Sequence, residues 1–185
     1  MVNPLLDRVL PADLADRSQL IDFKGTIGDF ERLREISESE LEAVTAAGQP
    51  RDWQDWPVVV RLEFGWLDTA RQLVVAKGRI TAAMPVVCQR CLDAFELVVD
   101  TPVGIVFGEP GGDLEQADYD SWEVDEKAIL LQDVVEETVV MALPLAPLHD
   151  SDSECGTLAE QVPEAGPEMT TPFADLRERM AAKDN

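Results

Sequence analysis

The stretch that decides the fold is Val86–Leu97, VVCQRCLDAFEL, in which two cysteines stand two residues apart between two runs of β-forming residues. The apolar run that ends at Cys88 predicts the end of one strand, and the run that begins at Phe95 predicts the start of the next. A connection this short joins antiparallel neighbours, because parallel strands need a crossover of a dozen residues or more. The segment therefore predicts two adjacent strands with Cys88 and Cys91 at the turn between them.

The runs on both sides of this stretch have the alternation of strands with one buried face. In Val58–Phe64, Arg61 and Glu63 fall on one face, and Val60, Leu62 and Phe64 fall on the other. Residues 72–77, 79–87 and 95–107 continue the β pattern, which gives a β-rich core of about residues 58–107. The short connections predict a twisted antiparallel β-meander, or a partly closed barrel.

Helices are predicted on both sides of this core. Glu126–Leu143 has a broad apolar stripe and ends before Pro144, so we expect a long helix there that packs across the sheet. Short helices are expected near the N-terminus, the first over residues 11–17. Ser37 with Glu40 resembles a capping box and predicts a separate helix after residue 36. The fold class is therefore α+β.

The length of 185 residues fits one domain with an appendage. We expect a single α+β domain over residues 1–149, followed by a mobile acidic tail over residues 150–185, because residues 156–170 are polar and contain proline and glycine. Thr171 and Pro172 are typical of a helix start and predict a short amphipathic helix at the end of the tail.

The charge is strongly uneven along the chain. The net charge is −22, yet residues 1–91 carry a net of only −3, while residues 92–176 hold 21 acidic side chains against the single Lys127. Such a half would repel a phosphate backbone and attract a basic partner. The alternative is a solvated acidic surface that only maintains solubility. The sequence does not indicate an oligomeric state.

Several classes of protein lack support in the sequence. The first residues contain Asp7 and Arg8 and no apolar run, so we expect no signal peptide, and no stretch is apolar enough to span a membrane. Three cysteines argue against a disulfide framework and for the reducing cytoplasm. Neither a nucleophile elbow nor a phosphate-binding loop is present, so we expect no enzyme and no organic cofactor.

The cysteines leave three interpretations open. Cys88 and Cys91 could bind zinc with His149 and Cys155 completing four ligands, although the second pair is not closely spaced. A redox pair is a weaker interpretation, because a strand rather than a helix is predicted to follow Cys88. The third interpretation is that both cysteines are small buried residues at a tight turn.

Five basic residues fall on the predicted strands or on the cysteine turn. If they share one face, they form a patch that could contact RNA phosphates; if they do not, they are solvated outward charges. These residues are Arg61, Arg71, Lys77, Arg79 and Arg90.

Three short motifs in this order resemble the YceD family, which is named for large ribosomal RNA subunit accumulation. The resemblance extends from about Leu10 into the tail. The residues that carry it are Cys88, Arg90, Cys91 and Leu92, then Leu143, Pro144, Pro147 and His149, then Pro172 and Phe173.

This resemblance implies a cytoplasmic, non-enzymatic factor that supports accumulation of 23S rRNA during biogenesis of the large ribosomal subunit. It also implies a metal site in some relatives, which carry additional cysteines where this chain has His149 and Cys155. We expect the protein to bind a basic ribosomal protein or a subunit precursor. The alternatives are direct RNA binding through the basic residues of the sheet, and an acidic protein-interaction module unrelated to ribosomes.

Overall fold

A five-stranded sheet organises the fold. In the computed structural model the described residues are 3–42, 44–45, 48–70, 73–108, 118–124 and 128–155. The strands of this sheet are β2 (Leu20–Thr26), β3 (Pro57–Trp66), β4 (Val74–Val87), β5 (Ala94–Gly108) and β6 (Asp120–Glu123). A separate two-stranded sheet pairs β1 (Arg8–Val9) with β7 (Ile129–Leu130).

The helices are few and short. They are α1 (Pro11–Asp16), α2 (Glu31–Leu41) and α3 (Leu131–Ala142), with single 3-10 turns at Ile27–Asp29, Trp53–Asp55 and Asp152–Glu154. None of the described helices is long and apolar enough to cross a membrane. The α+β class predicted from the sequence is confirmed at this level.

Strands β2 to β5 form an antiparallel meander in sequence order, and β6 adds to β5 in parallel. The cysteine stretch connects β4 to β5 as predicted, with Val87 opposite Ala94 at the end of the ladder. The sheet does not close into a barrel, so that alternative is wrong. Closure would require pairing between β2 and β6, whereas these strands stand at opposite edges and β6 pairs over only four residues.

The core lies between one face of this sheet and the helices. Alternate residues of β3, Val58, Val60 and Leu62, are fully buried, as the period of two requires. Leu33 of α2 and Val135 of α3 are fully buried in the same cluster. The opposite face of the sheet carries most of the exposed charge of these strands, so the basic residues of β3 and β4 lie on the solvent side.

Two helix predictions differ from the structure. The helix expected over Glu126–Leu143 corresponds to α3, but Ile129 and Leu130 form strand β7 because they pair with Val9 and Arg8. Ser37 does not begin a second helix. It lies within α2, where its hydroxyl donates a hydrogen bond to the Leu33 carbonyl at 2.8 Å.

The division of the chain at residue 149 stays a prediction. The described part continues to Cys155, which lies near the cysteine turn. The predicted tail helix that begins at Thr171 lies outside the described residues.

Candidate metal centre

The turn between β4 and β5 is closed by its own backbone. The Cys88 N–H donates to the Asp93 carbonyl and the Leu92 N–H donates to the Cys88 carbonyl, both at 2.9 Å. Leu92 has a φ of +63°, a left-handed conformation that non-glycine residues seldom adopt. This tight turn leaves the side chains of Cys88 and Cys91 with no exposed surface.

The segment after α3 brings the second pair of residues to this turn. The Gln89 N–H donates to the carbonyl of buried Pro147 at 2.9 Å, which joins the cysteine turn to the chain just before His149. The Phe95 ring lies against the His149 imidazole, with their centroids 4.4 Å apart. The imidazole is therefore positioned by an aromatic residue on the strand that leaves the turn.

A single 3-10 turn then directs the chain back toward the cysteines. The Cys155 N–H donates to the Asp152 carbonyl at 3.2 Å. Arg90 of the cysteine turn forms an ion pair with the Asp152 carboxylate and donates to the Cys155 sulfur at 3.7 Å. Arg90 thus links the two halves of the site, and the Asp152 carboxylate raises its pKa although partial burial opposes this.

The four ligand atoms form one compact cluster. The sulfurs of Cys88, Cys91 and Cys155 and a nitrogen of His149 all lie within 4.8 Å of one another. His149 Nδ1 is 3.5 Å from the Cys91 sulfur and 3.6 Å from the Cys155 sulfur. Tetrahedral zinc with ordinary Zn–S and Zn–N bonds separates its ligand atoms by roughly 3.5–3.8 Å. The donor set and the two nitrogen–sulfur distances fit zinc.

The thiols differ in how readily they ionise. Burial opposes ionisation of Cys88, but backbone N–H groups of Cys91, His149 and Arg90 donate to its sulfur and lower its pKa to about 6. Burial raises the pKa of Cys155 to about 11, with further contributions from hydrogen bonds and charge at Cys91 and Cys88. A thiolate on one cysteine of this cluster therefore disfavours ionisation of another, because the two negative charges repel each other. A bound divalent cation would compensate these charges.

The structure brings together all four residues that the sequence nominated for metal. No described helix begins at Cys88, so the activation that a redox pair draws from a helix N-terminus is missing. Sequence reasoning named Pro147 only as part of a family motif, and it missed the contributions of Phe95 and Asp152. The only signal for them was their position within a few residues of the nominated ligands.

The described basic residues of the predicted RNA patch are not gathered in one cluster, unlike the four candidate ligands. Arg61 and Arg79 are directly opposite on β3 and β4, but Arg61 pairs with Asp22 at 3.1 Å and Arg79 pairs with Asp100 at 2.9 Å. The Lys77 amino group lies 5.1 Å from the centre of the Tyr119 ring. Each of these cations on the sheet therefore already has a partner.

A fourth member of the predicted patch, Arg90, does not join them. Arg90 lies beyond the end of β4, and at ~3.3 Å per strand residue that end is roughly 25 Å from Arg79. Arg71 lies outside the described residues.

The hydrogen bond and charge of Arg79 hold the pKa of Asp100 below its usual value.

The remaining motif residues have structural positions around the site. Leu143 and Pro144 follow α3, and Pro147 is buried against the cysteine turn. The side chain of Leu92 is 59% exposed, which suits a contact surface better than the core. Pro172 and Phe173 lie outside the described residues.

Comparisons with known proteins agree with the motifs. Residues 76–179 match the family described as Large ribosomal RNA subunit accumulation protein YceD. A protein of that name from Haemophilus influenzae is 31% identical over 116 residues, which are 57% of this chain and 65% of that relative. No solved structure matches the chain.

Proposed function

This chain belongs to the YceD family, and on that premise we propose that it supports accumulation of large-subunit ribosomal RNA without catalysing a reaction. The proposed means is binding of a basic protein of the large subunit or its precursor in the cytoplasm. Free basic ribosomal proteins bind nucleic acid non-specifically, and an acidic partner suppresses such contacts until the correct site is met.

The distribution of charge on the described surface carries this proposal. Among the described residues from 93 to 155 there are twelve carboxylates and neither a lysine nor an arginine. Three of the five cations that sequence reasoning offered for RNA form ion pairs, Arg61 with Asp22, Arg79 with Asp100 and Arg90 with Asp152. Lys77 lies against the Tyr119 ring, and Arg71 lies outside the described residues. Binding to RNA phosphates would require free cations, whereas binding to a basic protein requires free carboxylates.

The experiment that tests the proposal presents the full chain with the two classes of partner separately. Proteins of the large subunit, freed of ribosomal RNA, are applied to the immobilised chain at rising salt, and large-subunit ribosomal RNA freed of protein is applied in parallel. We expect retention of one or a few identified ribosomal proteins, which weakens as salt rises. Retention of the RNA alone would contradict the proposal and favour direct RNA binding.

We also propose that the cluster of Cys88, Cys91, His149 and Cys155 binds zinc with a structural role. Four protein ligands would fill a tetrahedral site and leave no open position for water or substrate, which is the arrangement of structural rather than catalytic zinc. Such a site would fix the segment after α3 against the turn between β4 and β5. This role agrees with a factor that acts by binding.

A further inference from the structure

One edge of the sheet is only partly covered. Strand β5 extends over fifteen residues, Ala94–Gly108, but β6 pairs with it only from Ile105 to Gly108. Among the described residues, no strand lies beside residues 94–104 on the side away from β4. Within the described part of the chain, this β5 edge, as we call residues 94–104, therefore has backbone groups available for an added strand.

A groove runs beside the β5 edge where β6 ends. It has a volume of about 520 Å³ and is bounded by β5, β6 and α3. Its lining combines the exposed side chain of Met141 (76% exposed) and the half-buried ring of Trp122 with hydroxyl groups of Thr101, Ser121 and Thr138. A pocket with apolar and hydroxyl lining beside an open edge suits the side chains of an extended peptide.

The charges of this region indicate which kind of partner would bind it. Glu96 on the β5 edge and Asp120 at the groove are exposed and form no ion pair among the described residues. Asp100 is paired with Arg79, and Glu137 with Arg32, so these two acids are already compensated. The described residues that line the groove include no lysine, arginine or histidine.

These charges disfavour a second copy of this chain and favour a basic segment. Two copies would each carry a net charge of −22 and would place Glu96 and Asp120 near the same carboxylates. Pro102 has no backbone N–H, so it removes one hydrogen-bond donor from the edge. This limits indiscriminate pairing without preventing addition of one short strand. The other edge strand, β2, is seven residues long and carries Lys24, so it is a poorer site for a cation-rich strand.

We propose that a lysine- and arginine-rich extended segment of the partner protein adds as a strand to the β5 edge. Its backbone pairs with residues 94–104, its cations lie against Glu96 and Asp120, and its apolar side chains contact Met141 in the groove. This inference rests on the proposed function, since it assigns the basic partner its place on the chain.

The first test uses a synthetic peptide of about eleven residues that alternates lysine and valine, a length that matches the β5 edge at ~3.3 Å per residue. A control peptide has the same sequence with every backbone amide N-methylated, so that it keeps its charge but has no N–H on either edge to pair as a strand. We expect the full chain to bind the first peptide at least tenfold more tightly. We also expect slower amide hydrogen exchange within residues 94–104 on binding, and no change in β2.

The second test changes the edge with substitutions that all alter the net charge by the same amount. Glu96→Lys and Asp120→Lys are compared with Glu40→Lys, because Glu40 is exposed on α2 and its substitution alters the net charge equally. We expect each edge variant to weaken peptide binding by roughly fivefold to tenfold, and Glu40→Lys to weaken it by less than twofold. All three sites are exposed, so urea unfolding should show unchanged stability.

The possible failures are distinguishable. Equal binding of both peptides, or an equal loss of peptide affinity in all three variants, would overturn the proposed docking site. Slow hydrogen exchange of the outward amides of residues 94–104 in the free chain would also overturn it, because another segment of the chain would then already occupy the edge. In each of these cases retention of large-subunit proteins by the wild-type chain would leave the proposed function standing. Absence of that retention would overturn the proposed function itself.

Discussion

At the scale of single residues, the four candidate ligands come from distant parts of the chain. Cys91 and His149 are 58 residues apart in sequence, yet their ligand atoms are 3.5 Å apart. Ordering so long a loop costs conformational entropy, which hydrogen bonds at Gln89 and the Arg90–Asp152 ion pair offset in part. A bound zinc ion would contribute its binding free energy to the same contact between β4, β5 and the segment after α3.

The metal prediction concerns Cys91. Protein purified under reducing conditions is expected to hold about one zinc ion per chain, and Cys91→Ala to hold much less, because removal of one thiolate leaves three ligands. Elemental analysis after gel filtration measures the ratio. Asp150→Asn is the matched control, since Asp150 is exposed and adjacent to His149 but contributes no ligand atom to the cluster. Wild-type protein without metal under these conditions would contradict the zinc proposal.

A second residue-scale prediction concerns the ion pair on the sheet. Arg79→Gln is expected to raise the pKa of Asp100 toward its ordinary value of 3.8, because the guanidinium hydrogen bond and charge now lower it. Folding lowers this pKa, so the stabilisation is complete above 3.8 and is lost as the pH falls through the folded value. A carboxyl titration followed by NMR measures the shift. An unchanged pKa in the variant would show that Arg79 does not hold Asp100 in solution.

At the scale of elements, the contact between β3 and β4 depends on one glycine. Gly78 lies opposite Leu62, and a Cβ added to it would lie 1.9 Å from the Arg61 carbonyl oxygen. Gly78→Ala is therefore expected to reduce the free energy of unfolding by about 2 kcal/mol or more, since the obstructing atom is backbone.

Gly65 provides the control within the same pair of strands. A Cβ at Gly65 would meet nothing within 4 Å, so Gly65→Ala should change stability by no more than about 0.5 kcal/mol. Urea unfolding of both variants measures the difference. Equal effects of the two substitutions would contradict the register of β3 against β4.

The start of α2 depends on a residue of another helix. Phe30 at the N-cap provides no capping side chain, and the buried Glu136 of α3 accepts a hydrogen bond from the Arg32 N–H at 3.0 Å. Glu136→Ala should lower the free energy of unfolding by about 1–3 kcal/mol, because it leaves this N–H without a partner. Glu137→Ala removes a half-exposed ion pair with the same arginine and should cost at most about 1 kcal/mol. A larger loss for Glu137→Ala than for Glu136→Ala would reverse this assignment.

At the scale of the whole molecule, the sequence predicted the features that depend on local pattern. The alternation in Val58–Phe64 and the short turn after Cys88 were sufficient for the antiparallel meander. They could not predict strand β7, since Ile129 and Leu130 are strand only because Arg8 and Val9 pair with them. Pairing between residues distant in sequence, rather than the local helix pattern, therefore determined the conformation of β7.

In the candidate site, too, local pattern predicted some features and could not predict those that depend on long-range contacts. The identity of Cys88, Cys91, His149 and Cys155 was sufficient to name them as possible metal ligands, one of three interpretations, although the spacing of the second pair did not support it. The position of Arg90 could not be predicted, because its partner Asp152 lies 62 residues away and the alternation of β4 stops before the turn. The sequence offered Arg90 as a possible member of an RNA-contacting patch or as a solvated charge, whereas it joins the two segments that carry the ligands.

The asymmetry of charge gives the whole molecule its proposed role as a partner for a basic protein of the large subunit. The most direct test of that role is the ratio of large-subunit to small-subunit ribosomal RNA in cells depleted of this protein. We expect a selective fall in the large-subunit species that the wild-type chain restores and that Glu40→Lys restores equally well. An unchanged ratio after depletion would contradict it.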